Sequence, residues 1–312
     1  MLLGLAALCY IVWQFMYTKA SESVWVMFHD IGKDEDFTKI IFLVLILMLV
    51  NWGIEALKWK LLIKKIERIT FGKAVLAVLS GLALGVLTPN RIGEFLGRIM
   101  SVEKSDRRQA FAASVAGSFS QLLITLLFGA FAMIWYFSVF SSSAGEINAI
   151  VLYSLIFSFV ICALLVLLMY FNLGALHRSN PTKKWSQKIN KFTQAFTFYN
   201  RWELLLVLVL SMIRYVVFSF QFYLLLNFFG CDLKFEVAMQ FIAIIYFVVA
   251  LIPTVALTEI GVKGSAAVFF LSAYTGNEAG ILAASFSIWL INLAIPASIG
   301  AILLYRVKIF KK

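Results

Sequence analysis

Six charged residues stand inside otherwise apolar stretches of this sequence. They are Arg91, Glu94, Arg98, Arg214, Glu259 and Lys263. A charge at the centre of a bilayer costs at least about 2.5–3.5 kcal/mol on insertion scales, so each of these side chains needs a partner or a polar cavity. Arginine is well suited to bind phosphate, because its planar guanidinium can donate two parallel hydrogen bonds. The residue types therefore predict a buried site for an anion.

The first group of charges follows a proline. Glu94 comes three residues after Arg91 and four before Arg98, so the three side chains share one face of a helix. Pro89 disfavours helix in the residue before it and is well suited to open a new helix. This start predicts unsatisfied backbone amides at residues 90–92, which would attract an anion together with the helix dipole.

The second group repeats this pattern after Pro253. Glu259 and Lys263 are spaced as i,i+4 partners on the helix that resumes after the proline. Gly261 and Gly264 leave room for close approach of another backbone, as in helix packing within membranes. The two prolines thus predict two matching halves of one site.

Arg214 stands near the middle of its own apolar span, and Glu94 or Glu259 is its predicted partner. The alternative interpretation is that all these ion pairs only hold two helical segments together. Pairing alone does not account for two broken helices, whose exposed backbone groups must be satisfied inside a membrane, whereas a polar cavity accounts for both. Further polar residues either line such a cavity or form hydrogen bonds between helices: Asn51, Glu55, Gln121, Gln221 and Asn292.

The elements that must position these residues are membrane-spanning helices, so the predicted fold class is all-α integral membrane. Of the 312 residues, 62% are hydrophobic and 14% are charged, whereas soluble domains have roughly 45–50% and about 25%. A bilayer core needs roughly 20 mostly apolar residues per helix. Full spans are predicted at residues 2–18, 38–58, 107–139, 147–172, 203–228 and 280–305. Two further apolar regions, 73–100 and 236–275, are interrupted at Thr88–Asn90 and at Pro253–Thr254.

The distribution of basic residues predicts the topology. Twenty of the 27 Lys and Arg lie in the segments 58–73, 98–108, 178–201 and 306–312. Such clusters mark cytoplasmic loops, so the net charge of +11 reflects membrane topology and does not indicate nucleic-acid binding. Basic segments flank region 73–100 on both sides, which predicts a re-entrant hairpin from the cytoplasm. Acidic flanks predict that region 236–275 enters from the opposite face.

These predictions combine into six spans and two opposed hairpins in one transmembrane domain. Residues 1–140 and 146–312 then form inverted halves, the layout of an inverted-topology repeat. Both termini are predicted to lie on the cytoplasmic side of a bacterial inner membrane. The N-terminal segment is interpreted as a retained helix, not a signal peptide. The basic segment at 173–202 is either an amphipathic surface helix or a charged connector.

Signatures of enzymes, metal sites and cofactors are absent from the sequence. The two histidines are far apart, at His29 and His177, and no HExxH, GxSxG or Walker sequence occurs. The three cysteines form no CxxC motif or Cys/His cluster, so neither a disulfide framework nor a zinc site is predicted. We therefore expect no cofactor and no enzymatic activity, and we expect any transport to be passive or ion-coupled.

The motifs at both prolines resemble one family over essentially the whole chain. Residues 88–94, Thr-Pro-Asn-Arg-Ile-Gly-Glu, resemble the P-x-R-x-G-E motif of the lysylphosphatidylglycerol synthase transmembrane family. That family includes the flippase-like domain of the multiple peptide resistance factors. Residues 252–263 are similar to its second motif, a proline followed by a G-x-G-V-R-E turn. Lys263 stands where the family often has Arg, Gly264 where it often has Glu, and Glu259 replaces a nearby Gly.

The resemblance implies a flippase-like fold with inverted repeats and re-entrant helices around a lipid-accessible cavity. The soluble aminoacyl-transferring domain that makes lysylphosphatidylglycerol is not in this sequence, so synthesis of that lipid is not expected. The leading hypothesis is translocation of an anionic or lipid-linked polar head group. In it the four site cations bind phosphate, and the two site carboxylates orient them or bind a coupling proton.

Two other functions stay open at this point. One is a non-transporting, lipid-binding membrane subunit that scaffolds a partner glycosyl- or aminoacyltransferase, docking through residues 173–202 and 306–312. The other is a transporter of soluble anions or small solutes that uses the same cavity. A homo-oligomer or a complex with a partner membrane enzyme is compatible with each hypothesis.

Overall fold

The computed structural model describes residues 35–86, 88, 91–100, 102, 107–144, 149–172, 199–253 and 256–306. Every regular element in these ranges is a helix, so the predicted all-α class is confirmed for them. The helices in chain order are α1 (Glu35–Ile63), α2 (Phe71–Val86), α3 (Ile92–Met100), α4 (Arg107–Ala144), α5 (Ala149–Asn172), α6 (Arg201–Phe228), α7 (Phe235–Leu251), α8 (Ala256–Thr275), α9 (Glu278–Trp289) and α10 (Ile295–Arg306). A short π-helical segment, Leu290–Ala294, joins α9 to α10.

Four stretches of helix are long and apolar enough to cross a membrane. They are Thr38–Ile63, Arg107–Val139, Arg201–Phe228 and Glu278–Tyr305, and they agree with four of the predicted spans. Helix α5 covers residues 149–172 of the span predicted at 147–172. The predicted first span at 2–18 and most of the predicted surface segment at 173–202 lie outside the described residues. The chain is a multi-pass membrane protein.

The first apolar hairpin consists of α2 and α3, which run antiparallel in close contact. A methyl group added to Gly97 would collide with the backbone of Gly81, and one added to Gly93 would collide with the carbonyl of Leu84. Glycine at these positions lets the two backbones approach as closely as small residues allow in membranes. The helices break between Val86 and Ile92, as predicted from the proline.

The second hairpin consists of α7 and α8, with its break between Leu251 and Ala256, as predicted. Aromatic side chains join its two arms at the end away from the break, where the rings of Phe241 and Tyr274 lie 5.0 Å apart. The re-entrant entry of both hairpins and the inversion of the two halves stay predictions.

Helix α1 packs along α6 in the opposite direction. Near one end the Gln221 amide donates to the carbonyl of Val44 at 2.8 Å. Near the other end the Tyr199 hydroxyl, just before α6, donates to the carbonyl of Leu62 at 2.7 Å. These buried hydrogen bonds fix the register of the two helices, so the polar residues midway along both face each other.

The last span is interrupted by the π-helical segment. Pro296 has no backbone N–H, so the usual helical bond to the carbonyl four residues earlier is missing there. The Ile295 amide instead bonds to the carbonyl of Leu290, five residues back. In this wider turn the Asn292 side chain is buried and accepts a hydrogen bond from the Asn51 amide on α1 at 3.1 Å.

Candidate functional site

Helix α3 begins at Ile92, because Arg91 has a left-handed backbone conformation with φ of 55°. The amide of Arg91 donates to the carbonyl of Thr88 at 3.2 Å, and the hydroxyl of Thr88 accepts from the Gly93 amide at 2.7 Å. The prediction that the Arg91 amide is an unsatisfied donor is therefore wrong. A non-glycine residue with this φ is strained unless its surroundings hold it, and such residues concentrate at functional sites.

The side chain of Arg91 joins the two hairpins. Its guanidinium lies 2.6 Å from a carboxylate oxygen of Glu259 on α8 and 3.7 Å from one of Glu94 in the first turn of α3. The other oxygen of Glu259 lies 3.9 Å from the Lys263 ammonium, so that predicted i,i+4 pair is present. The ion pair between Arg91 and Glu259 thus connects the starts of α3 and α8.

A second cluster of charges surrounds Glu55 on α1. Its carboxylate lies 2.7 Å from Lys58, 2.9 Å from Arg98 and 3.4 Å from Arg214. Glu55, Lys58 and Arg98 are each at most 3% exposed. Such charges are stable in an interior only when they are paired, and here one carboxylate neutralises part of the charge of three cations.

Glu94 links the two clusters. One of its carboxylate oxygens faces Arg91, and the other lies 3.6 Å from Arg98. Glu94 and Glu259 were the predicted partners of Arg214, and this prediction is wrong. Arg214 instead pairs with Glu55 and donates to the side-chain oxygen of Gln121 at 3.3 Å, because the register of α1 against α6 brings residue 55 opposite residue 214.

A cavity of about 270 Å³ lies beside these clusters. Four of the six predicted site residues line it: Arg91, Arg214, Glu259 and Lys263. Arg98 lies in the packed interior behind it, and Glu94 is not among its lining residues. Aromatic side chains form much of the remaining wall: Trp52, Tyr215, Phe218, Tyr246 and Trp289.

The cations of the cavity lie against aromatic faces. The Arg214 guanidinium lies 5.1 Å from the ring centroid of Trp52, and the Lys263 ammonium lies 5.1 Å from that of Phe218 and 5.7 Å from that of Tyr246. At such distances the ring quadrupole stabilises a desolvated cation by about 0.5–2 kcal/mol. The rings thus hold both cations at the wall of the cavity without supplying a negative charge.

Positive charge is in excess in this site. Among the charged lining residues that the structure describes, three cations face the single carboxylate of Glu259. The linked network of both clusters contains five cations and three carboxylates, which leaves two positive charges unbalanced. Within the described residues, no group of three or more His, Cys, Asp and Glu side chains could hold a metal ion. Chemically, this excess of positive charge favours an anion as a partner.

Comparison with protein families assigns nearly the whole chain to one family. The model of the family described as the lysylphosphatidylglycerol synthase TM region matches residues 1–303. The chain belongs to this family. No curated protein and no solved structure shows a significant match. Membership in the lysylphosphatidylglycerol synthase transmembrane family confirms the resemblance inferred from the sequence and relates the chain's function to membrane lipids.

In this family member, sequence reasoning missed the central role of Glu55 and Lys58. Glu55 was interpreted as either a lining residue or a hydrogen-bonding residue, and Lys58 was counted with the basic cytoplasmic segment. A usable signal was present, since an acid and a base spaced i,i+3 inside an apolar span favour an ion pair on one helical face. The expected interhelical hydrogen bonds are present for Asn51, Gln121 and Gln221.

Proposed function

We propose that this protein binds an anionic or lipid-linked polar head group in the central cavity and translocates it across the membrane. The acyl chains stay in the bilayer while the head group visits the cavity. The observation that carries this proposal is the excess of cations over carboxylates in a cavity between membrane-spanning helices. A phosphate supplies the negative charge that the site lacks, and a guanidinium binds it with two parallel hydrogen bonds.

Each site residue has a role in this proposal. Arg91, Arg214 and Lys263 contact the phosphate from three different helices. Glu259 orients Arg91 and Lys263, both of which lie within 3.9 Å of it. Glu94 positions Arg91 and offsets part of its positive charge, and Arg98 in turn positions Glu94, from which it lies 3.6 Å away. No covalent chemistry by the chain is required.

The size of the cavity supports a head group as its occupant. At about 270 Å³ it is close to the lower end of small-molecule pockets, which run from about 300 to 1,000 Å³. That space holds a phosphate with a small polar group but not two acyl chains. The broken helices support the proposal as well, since discontinuous helices in transporters place substrate sites near the middle of the bilayer.

A reconstituted assay tests the proposal. Proteoliposomes containing fluorescent phosphatidylglycerol, phosphatidylcholine or a lipid-linked sugar are treated with a membrane-impermeant quencher, and the rate at which inner-leaflet lipid becomes quenched is measured. We expect the protein to accelerate the translocation of at least one anionic lipid. The double variant R214Q/K263Q should slow it at least about tenfold, because two contacts to a charged group are lost at roughly 1.5–3 kcal/mol each.

The control variant K73Q/R108Q removes the same charge from exposed positions away from the cavity and should translocate at the wild-type rate. Equal rates for R214Q/K263Q and wild type would overturn the site assignment. Retained binding of the anionic lipid with no translocation by the wild type would instead favour a lipid-binding subunit that acts beside a partner enzyme. Uptake of soluble phosphate without lipid movement would favour an anion transporter.

A further inference from the structure

A groove at the end of α1 combines basic and apolar side chains away from the central cavity. It encloses about 300 Å³ and shares no lining residue with that cavity. Its polar part consists of Lys64, Lys65, Arg68 and Glu203, and α6 contributes the apolar residues Leu206 and Val207. The groove is therefore amphipathic at the point where a basic segment meets a membrane-spanning helix.

The charges of the groove do not balance. Among the described residues that line it, Glu203 is the only acid, and three cations face it. The Glu203 carboxylate is already engaged, since it lies 2.6 Å from the Lys65 ammonium and accepts the backbone amide of Asn200 at 2.9 Å in the capping box of α6. Lys64 also interacts electrostatically with Glu203, so the described cations of the groove share this carboxylate and leave a net positive charge that an anion can neutralise.

One wall of the groove is fixed by Tyr199. Its hydroxyl donates to the carbonyl of Leu62, and its ring lies 5.9 Å from the Lys65 ammonium. Burial and the neighbouring Glu203 raise the pKa of Tyr199 above its ordinary value, so the hydroxyl stays a neutral donor. The wall therefore adds no negative charge to the groove.

The apolar side of the groove continues as an exposed stripe on α6. Leu206 is 46% exposed, and Val209 and Ile213 follow at helical spacing with 37% and 43% exposure. Trp202, one turn before Leu206, is 78% exposed, as is typical of side chains at the membrane interface. On a membrane-spanning helix such an exposed apolar stripe is suited to contact acyl chains of lipid, and Leu206 belongs to both the stripe and the groove.

We propose that this groove is a peripheral binding site for an anionic phospholipid of the surrounding membrane. The lipid phosphate contacts Lys64 and Arg68, and one acyl chain lies along the stripe that begins at Leu206. The charge of the groove selects an anion, and its continuity with the stripe selects a lipid over a soluble phosphate. The site uses none of the residues of the proposed translocation cavity, so this proposal does not depend on the proposed function.

Native mass spectrometry of the full-length protein in detergent tests the site. Binding constants are measured for dioleoylphosphatidylglycerol and dioleoylphosphatidylcholine. The variant K64Q/R68Q should weaken the tightest phosphatidylglycerol binding about thirtyfold, from about 1 kcal/mol per basic side chain at a membrane surface, with phosphatidylcholine unaffected. The same loss should appear in the R214Q/K263Q background, which separates this site from the central cavity.

Two controls keep the result decisive. The variant K73Q/R108Q removes the same charge outside the groove and should bind phosphatidylglycerol like wild type. If its affinity for phosphatidylglycerol fell as much as that of K64Q/R68Q, the attraction would be a diffuse property of the basic surface, and the proposal of a specific site would be overturned. L206Q should weaken phosphatidylglycerol binding with the lysine and arginine intact. If glycerol 3-phosphate displaced phosphatidylglycerol and bound with the same affinity, the groove would be a site for soluble phosphates, and the assignment to a lipid would be overturned.

Discussion

The carboxylate of Glu55 is the point at which the buried network is most sensitive to a single substitution. Three cations lie within 3.4 Å of it, on α1, α3 and α6. Glu55→Gln preserves the shape of the side chain and removes its charge. Lys58, Arg98 and Arg214 then face one another in the interior without the carboxylate that pairs with all three, and Glu94 lies 3.6 Å from Arg98.

The magnitude follows from the burial of these groups. Removing one partner of a buried ion pair costs about 3–5 kcal/mol, because the remaining charge is left in the interior without compensation. Since one carboxylate here serves three cations, we expect a loss near the upper end of that range. The assay is equilibrium unfolding of the full chain in mixed micelles of mild detergent and sodium dodecyl sulfate, followed by circular dichroism.

The matched control is Glu203→Gln. Its carboxylate also forms a short ion pair, but both side chains are 38% exposed, and such pairs contribute only about 0–1 kcal/mol. The amide oxygen of glutamine still accepts the Asn200 capping bond. In the Glu55→Gln background, Lys58→Met should restore part of the stability, since it removes one uncompensated cation. A Glu55→Gln loss below about 1 kcal/mol, or no larger than that of Glu203→Gln, would refute the reasoning.

Three further variants test the positioning of the site. Gly97→Ala should lower the free energy of unfolding by at least about 1–3 kcal/mol, because its methyl group meets the Gly81 backbone. At Gly53 an added methyl group has no neighbour within 4 Å, so Gly53→Ala should not lower stability. Equal effects of the two substitutions would contradict the close packing of α2 and α3. Arg91→Glu should lower the free energy of unfolding, because it places a third carboxylate beside Glu94 and Glu259. Glu259→Arg in the same chain should recover about 0.5–3 kcal/mol of it. Additive losses in a double-mutant cycle would exclude the ion pair between residues 91 and 259. Tyr199→Phe should cost about 1–3 kcal/mol by leaving the buried carbonyl of Leu62 without its donor, and a thermal unfolding midpoint equal to wild type would argue against that bond.

Hydropathy and proline positions were sufficient to predict the all-α class, four long apolar helices and both helix breaks within the described residues. In a bilayer, an apolar run of spanning length satisfies its own backbone groups by forming a helix, and four of the predicted runs form helices long and apolar enough to cross a membrane. Both hairpin breaks also lie where the prolines predicted them, because the residue before a proline disfavours helix. The start of α3 was not predictable in the same way, since the left-handed backbone of Arg91 depends on contacts that only the folded chain provides.

Ion pairs between residues three or four apart in the candidate site were predictable from the sequence, but the partner of Arg214 on another helix was not. Arg91, Glu259 and Lys263 lie together as expected. The partner of Arg214 was misassigned. The sequence indicates how deep a residue lies in the membrane, but it does not indicate which face of one helix contacts which neighbouring helix. Lys58 was hidden for a related reason: it stands at the border of an apolar span and a basic loop, where sequence alone does not separate a buried lysine from a solvated one.

The claim that the cavity holds an anionic head group is tested most directly by site-specific photo-crosslinking. A photoreactive benzoylphenylalanine replaces either Phe218, which lines the cavity, or Phe269, which is 75% exposed on α8. The protein is irradiated in bilayers of mixed phosphatidylglycerol and phosphatidylcholine, and the lipid adducts are identified by mass spectrometry. The account predicts adducts enriched in the anionic lipid at position 218, lost on R214Q/K263Q, and adducts in bulk proportion at position 269. Bulk proportions at both positions, or no lipid adduct at position 218, would contradict it.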